Sequence, residues 1–199
     1  MPTVLHLINT AGPGGAETVF RDLVDGLPGR GWKSFAVVPE FDWLTEQLVA
    51  RGHEPIIEVC RGRFDLAAHL WRLARLVRRN SIDVIHSHLW GPSVEASLLG
   101  AITGIPVVCT IHGRGDLSPE ERMRGLKFRI LNRGASRVVF VSESLRRFFL
   151  EQGPLHPERT TVISNGIDTS LHIAGGTGEG ATARGARAEF GGPAGERFA

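Results

Sequence analysis

Cysteine is scarce in this sequence, and the scarcity excludes several architectures. Of 199 residues only Cys60 and Cys109 are cysteines. They make no disulfide framework, neither lies in a CxxC pair, and no close-spaced Cys/His cluster resembles a structural zinc site. Cys109 sits inside the apolar run IPVVCTI, which argues for core rather than chemistry. Long apolar stretches are missing as well. No run of about eighteen uncharged apolar residues occurs, so no membrane-spanning helix is expected. The opening MPTVLHLINT lacks a basic segment ahead of its apolar residues and reads as a buried first strand. A cytoplasmic location is the resulting expectation. Charge of one sign is also lacking: the formal net charge of +2 is too small to imply a nucleic-acid partner.

What is present is the patterning of a soluble α/β domain. Hydrophobic residues at 42% and charged residues at 22% allow a self-supporting core. Strands are expected at Thr3 to Ile8, Ser34 to Val38, Glu54 to Val59, Asp83 to Ser87, Pro106 to Ile111, Arg137 to Val141 and Thr160 to Ile163. Helices are expected between them: Gly15 to Leu27, one opening near Asp42, Leu66 to Arg79, one between strands four and five, one from just after Ser118 to near Arg133, and one ending at Glu151. The run Ser118-Pro119-Glu120-Glu121 offers an N-cap, a proline at N1 and an acid at N3, while Gly104, Gly134 and Gly153 are candidate C-caps. Strands such as PVVCTI and FAVV read as runs rather than alternations, as in a parallel sheet covered on both faces. Strict alternation of strand and helix predicts a doubly wound, mostly parallel Rossmann-like layer. From Gly175 the composition shifts to glycine and alanine, so the first domain is expected to span residues 1–168, with 169–199 a linker and the start of a second domain.

In an open parallel sheet, ligands sit beyond the carboxyl ends of the strands. That rule selects Thr10 to Ala16, His86 and His88, His112 to Asp116, Ser142, and Asn165 to Asp168. The first loop, TAGPGGAET, brings backbone amides and a helix start toward one point, which favours an anion. Gly12-Pro13-Gly14 also begins like a dinucleotide fingerprint, but Glu17 occupies the third glycine position. Glu40 imitates the ribose-binding acid of such sites at a shorter spacing than usual. A P-loop is excluded, because no Lys-Ser or Lys-Thr pair directly follows these glycines. His86 and His88, two apart on a strand, are expected to face opposite sides until the strand ends. His88 and His112 end neighbouring elements, and both reach the crevice. Two such histidines can bind a metal, but no third ligand has convincing spacing, so neither metal nor cofactor is expected. Contacts to sugar hydroxyls or phosphate suit an imidazole, which offers one donor and one acceptor. Two helices are basic: one carries Arg72, Arg75, Arg78 and Arg79, the other Arg122, Arg124, Lys127, Arg129 and Arg133. They read either as solvated faces or as surfaces for anionic lipid or an anionic acceptor.

Four segments, in order, carry a family resemblance: VLHLINTAGPGGAETVFRDLVDGL, IDVIHSHLWGPSVEASLLGAITGIPVVCTIHG, SRVVFVSESLRRFFLEQG and VISNGID. Together they resemble the N-terminal, acceptor-side domain of GT4-like glycosyltransferases of the two-domain GT-B architecture, over about residues 3 to 168. The resemblance implies that Gly14 and Gly15 approach the donor diphosphate or the acceptor. It implies that His112 lines the cleft near the transferred sugar as the catalytic candidate, with His88 on the acceptor side. Arg114, Ser142, Asn165 and Asp168 complete the implied substrate-binding set. The implied reaction is transfer of a sugar from a nucleotide-sugar donor to a hydroxyl-bearing sugar or lipid-linked acceptor, with anomeric configuration retained. Peripheral contact with an anionic membrane at its inner face fits such an acceptor. The family's second domain, which binds most of the donor, is not recognisable here, so the isolated chain is expected to be an inactive fragment. A non-catalytic sugar- or nucleotide-binding module and a dinucleotide-dependent oxidoreductase stay open as alternatives.

Overall fold

The structure is a computed structural model that describes residues 1–62, 64–117, 121 and 123–166. Seven parallel strands form one sheet: β1 (Thr3–Leu7), β2 (Lys33–Val38), β3 (Ile56–Ile57), β4 (Val84–His88), β5 (Val107–Ile111), β6 (Arg137–Phe140) and β7 (Thr160–Val162). Their spatial order is β3-β2-β1-β4-β5-β6-β7. Six α-helices connect them: α1 (Gly15–Gly26), α2 (Trp43–Val49), α3 (Leu66–Arg79), α4 (Trp90–Thr103), α5 (Arg124–Gly134) and α6 (Glu143–Gln152). The order reverses between β1 and β4. That switch point opens a crevice at the carboxyl edge of the sheet, as in other doubly wound folds.

Period two in the strands sorts the core onto two faces. Leu5, Leu7, Val37, Ile85, Cys109, Ile111, Val138 and Phe140 point to one side and pack with residues of α3 to α6, including Leu73, Leu99, Phe128 and Phe149. Ile8, Ala36 and Val38 point to the other and pack with Phe20 and Val24 of α1 and Leu44 and Leu48 of α2. Every residue of β1 is buried, as in a parallel strand covered on both faces. Among the described residues no helix is long and apolar enough to cross a membrane.

Most element ends fall where the caps place them. Asp42 Oδ1 accepts a hydrogen bond from Trp43 N at 2.7 Å and opens α2. Gly104 closes α4 in the left-handed region at φ 76°, a conformation glycine adopts without steric cost. Three expectations need correction. β3 is only Ile56–Ile57, since an edge strand pairs on one side alone. The helix expected just after Ser118 begins at Arg124, behind Met123 at φ 59°; Ser118, Pro119 and Glu120 lie outside the described residues. Gly134 is the last residue of that helix and not its cap. Ala135 takes the cap position, donating its N–H to Leu131 O at 2.8 Å. The compact unit runs Met1–Asn165 and a second begins at Gly166; beyond Gly166 the chain lies outside the described residues, so the expected boundary at 168 does as well.

Candidate functional site

The crevice is assembled from the ends of β1, β4 and β5. After β1 the chain turns through Asn9 to Pro13, and Gly14 caps α1 in extended conformation. A Cβ on Gly14 would fall 2.3 Å from Glu17 Oε2, whereas one on Gly15 would meet nothing within 4 Å. Gly14 therefore makes room for an acid, and Gly15 leaves the helix start open. Glu17 is buried in the first turn of α1, where the helix dipole favours a carboxylate, and it accepts a hydrogen bond from Thr10 Oγ1. Its carboxylate occupies the position where a dinucleotide fingerprint needs its third glycine.

After β4, Leu89 holds φ 72° and ψ 166° before α4 begins. A branched residue with positive φ is strained, and such strain clusters at functional sites. His88 stands immediately before it, and His112 directly follows β5. His88 Nδ1 and His112 Nε2 share a hydrogen bond at 3.0 Å, with the rings stacked at 18°. Asp116 folds back beneath them: its Oδ2 accepts the backbone N–H of His112 at 3.0 Å and of Gly113 at 3.2 Å. Burial lowers the pKa of His112, against the opposing pull of Asp116 and Glu17. Burial also raises the pKa of Asp116. A neutral imidazole flanked by two acids suits hydrogen bonding to sugar hydroxyls better than binding a free anion.

His86 and His88 do not face opposite sides. β4 continues through His88, and residues two apart on a strand share a face. Register also sets His6 of β1 beside His86. The His86 and His88 rings lie 4.4 Å apart, and His6 lies 5.4 Å from His86. The third histidine that spacing did not reveal is thus His6, a cross-strand neighbour some eighty positions away in sequence.

The remaining expected residues spread along the same edge. Ser142 caps α6, its Oγ accepting from Leu145 N at 3.2 Å, so its hydroxyl already has a structural task. The Arg114 guanidinium lies over the ring of Phe148, in the middle of the same helix, at 5.2 Å. Asn165 is exposed after β7. Asp168 lies outside the described residues. Among the described residues no hydrogen bond or ion pair joins Arg114, Ser142 or Asn165 to the His88–His112 pair. Sequence reasoning missed Glu17 as a site group, although its first-turn position was an available signal, and it placed Asp116 at the crevice without giving it a role.

A second polar group lines the crevice on its β2–β3 side. A cavity of about 160 Å³ is bounded by residues including Asn9, Glu58, Cys60, His69, Pro92 and Glu95. His69 contacts Glu58 Oε1 at 2.9 Å and Glu95 Oε2 at 3.5 Å. Burial works against its protonated form, but hydrogen bonds to Glu95 and Glu58 outweigh that and raise its pKa. Arg72 pairs with Glu58 at 2.9 Å and with Asp65 at 3.1 Å.

Comparison with known proteins agrees with this architecture. Residues 13–171 match the model of Glycosyltransferase Family 4, and the chain belongs to that family. It is 33% identical over 97 residues to the alpha-maltose-1-phosphate synthase of Mycolicibacterium smegmatis, covering 44% of this chain and 25% of that protein. Among solved structures it resembles Anabaena Alr3699/HepE, crystallised in complex with UDP-glucose, with a TM-score of 0.70 at 24% identity, covering 85% of this chain and 45% of that one. It also resembles a glycosyltransferase from Rickettsia africae ESF-5, with a TM-score of 0.75 at 17% identity, covering 89% of this chain and 46% of that one. The chain thus spans less than half the length of each of these relatives. Family membership sets the oxidoreductase alternative aside, in keeping with the carboxylate of Glu17 at the fingerprint's third position.

Proposed function

We propose that this chain supplies the acceptor-side wall of a site that transfers a sugar from a nucleotide-sugar donor to an acceptor hydroxyl with retention of configuration. The observation that carries the reading is the His88–His112 pair at the topological switch point, flanked by Glu17 and Asp116. The HepE complex makes a uridine diphosphate sugar the first donor to test. Because Glu17 already occupies the start of α1, Gly14 and Gly15 suit close approach of a hydroxylated ligand more than a diphosphate. The cavity beside Asn9, Glu58 and Glu95 offers hydroxyl-binding acceptors for the sugar that receives the transfer. His112 Nε2 is held by His88, and its Nδ1 is buried without a partner. A small ring rotation turns Nδ1 to a hydroxyl of the donor sugar, so the role is hydrogen bonding and not proton abstraction.

The described residues form one wall. Stabilising a leaving diphosphate and excluding water both need a facing wall. The 199-residue chain alone is therefore expected not to turn over a nucleotide-sugar at a family-like rate. The reading extends to peripheral contact with the cytoplasmic face of an anionic membrane, through α3 and α5, for a lipid-linked acceptor. A donor- and acceptor-scanning assay tests the assignment on the chain alone and on the chain fused to the C-terminal half of a full-length relative. Transfer is expected only from the fusion, with a loss of about 10²-fold on His112→Ala, the size of one removed transition-state hydrogen bond. Efficient transfer by the chain alone refutes the one-wall argument. An unchanged rate in the folded His112→Ala fusion refutes the site assignment. Saturable sugar binding without transfer in the fusion indicates a non-catalytic binding module.

A further inference from the structure

We infer that His6, His86 and His88 form a binding site for a zinc-class divalent transition-metal ion on the α1 face of the sheet. The inference is independent of the transferase reading. Two ligands come from residues two apart on β4, and the third stands opposite on β1 in direct register. One ligand atom from each ring lies within 4.8 Å of the others. Zinc–imidazole bonds of about 2.0–2.1 Å place tetrahedral ligand atoms somewhat closer together, a gap that small ring rotations close.

The hydrogen bonding singles out the nitrogens. His86 Nε2 is engaged by Thr110 Oγ1 at 2.9 Å, and His88 Nδ1 by His112 at 3.0 Å. His88 Nε2 and both nitrogens of His6 are buried with no partner among the described residues. Buried polar atoms without partners cost free energy, and leucine or phenylalanine would fill the same space without that cost. Far-side partners that fix ring orientation while the near nitrogen stays open are what metal-binding histidines need. An all-imidazole set selects zinc, cobalt, nickel or copper over magnesium or calcium. Burial and the neighbouring imidazoles keep the three rings in the neutral, ligating form.

Access and closure are both visible. A groove of about 140 Å³, bounded by Val4, Leu27, Trp32, Val84, His86 and Val108, reaches the cluster at His86. Phe20 of α1 closes the cluster from above, 5.8 Å from His6 and 5.2 Å from His88. A metal on His88 Nε2 leaves the proton on Nδ1, so His112 Nε2 accepts and His112 carries its own proton on Nδ1. The ion would thereby set the tautomer of the crevice histidine.

The test is a cobalt(II) titration of the tag-free 199-residue chain at neutral pH, followed by visible ligand-field absorption, with zinc-dependent thermal shifts alongside. One equivalent of cobalt should produce tetrahedral bands that zinc displaces, and zinc should raise the melting midpoint. His6→Leu should remain folded by circular dichroism, lose the bands, weaken zinc binding by about tenfold or more, and melt higher than the parent in chelator. His86→Gln, which keeps a partner for Thr110, should also lose the bands. Replacing two histidines outside the cluster, His53→Ala with His156→Ala, should leave the bands and the zinc affinity unchanged. Absence of the bands and of any zinc shift in the parent overturns the site. So does undiminished binding in folded His6→Leu, or binding that disappears with His53 and His156.

Discussion

At the scale of single residues, His6, His86, His88 and His112 respond to pH in the opposite sense to His69. His86 is pushed down to about 4 by burial first and by His112 second. His6 and His88 lie well below the ordinary value through burial and neighbouring imidazoles, and His112 is lowered by burial. The unfolded chain, with histidine near 6.5, binds more protons than the folded one as pH falls below that value. The cluster's contribution is therefore complete above about pH 6.5 and is lost as pH falls toward about 4. For His86 alone the displacement from 6.5 to about 4 is worth on the order of 3 kcal/mol. His69 acts in the other direction: its raised pKa stabilises below the unfolded value and is lost as pH rises through the folded one. Asp116, raised by burial, opposes the cluster as pH falls through its folded value toward the ordinary carboxylate range. Since the lowered group is larger, urea midpoints measured in chelator should drop steadily from pH 7 to pH 5. A flat midpoint over that interval would contradict a neutral buried cluster.

At the scale of elements, the tightest contact is between α4 and α5. A Cβ on Gly134 would stand 2.3 Å from the carbonyl oxygen of Ser97, and a backbone atom cannot swing aside as a flexible side chain can. Gly134→Ala should destabilise by about 1–3 kcal/mol, as overpacking does. Gly125→Ala, in the same helix with nothing within 4 Å, should stabilise by about 0.5 kcal/mol through lost unfolded-state freedom. Chemical denaturation of the pair separates packing from propensity; equal shifts of one sign would refute the contact. The same elements explain what was legible beforehand. Strand–helix alternation, run-like strands and caps such as Asp42 and Gly104 are local signals, and they located nearly every element. The crevice was legible as strand ends, because the carboxyl-edge rule needs only strand order along the chain. Register hid His6 beside His86, and loop conformation, which periodicity does not report, hid the back-bonding of Asp116 and the turn of Glu17 against Thr10. The tight seat of Gly134 was also hidden, since a glycine near a helix end reads as a cap unless the neighbouring helix is known.

At the scale of the whole molecule, a net charge of +2 conceals a segregated surface. α3 and α5 flank α4 in one layer. Trp71, Arg75 and Arg78 share the exposed face of α3, and the Arg75 guanidinium lies over the Trp71 ring at 5.6 Å. Leu126, Arg129 and Arg133 share the exposed face of α5. An aromatic ring with arginines at helical spacing is the pattern of a helix that rests on a membrane surface. Not every cation in these helices takes part: Arg72 is committed to Glu58 and Asp65, and Lys127 to Glu121. Arg75, Arg78, Arg129 and Arg133 near an anionic surface contribute about 1 kcal/mol each, so the attraction should be weak and reversible. Exposed charges are screened within a Debye length of about 10 Å at 0.1 M salt and about 3 Å at 1 M. Co-sedimentation with phosphatidylserine-containing vesicles should therefore be measurable at low ionic strength and fall several-fold at high. The double variant Arg75→Gln with Arg78→Gln should weaken it at low salt without changing the fold, because both side chains are exposed. Neutral vesicles should capture little of either protein. If anionic vesicles fail to bind the parent even at low salt, these arginines form a solvated face, and the acceptor must reach the crevice without help from the membrane.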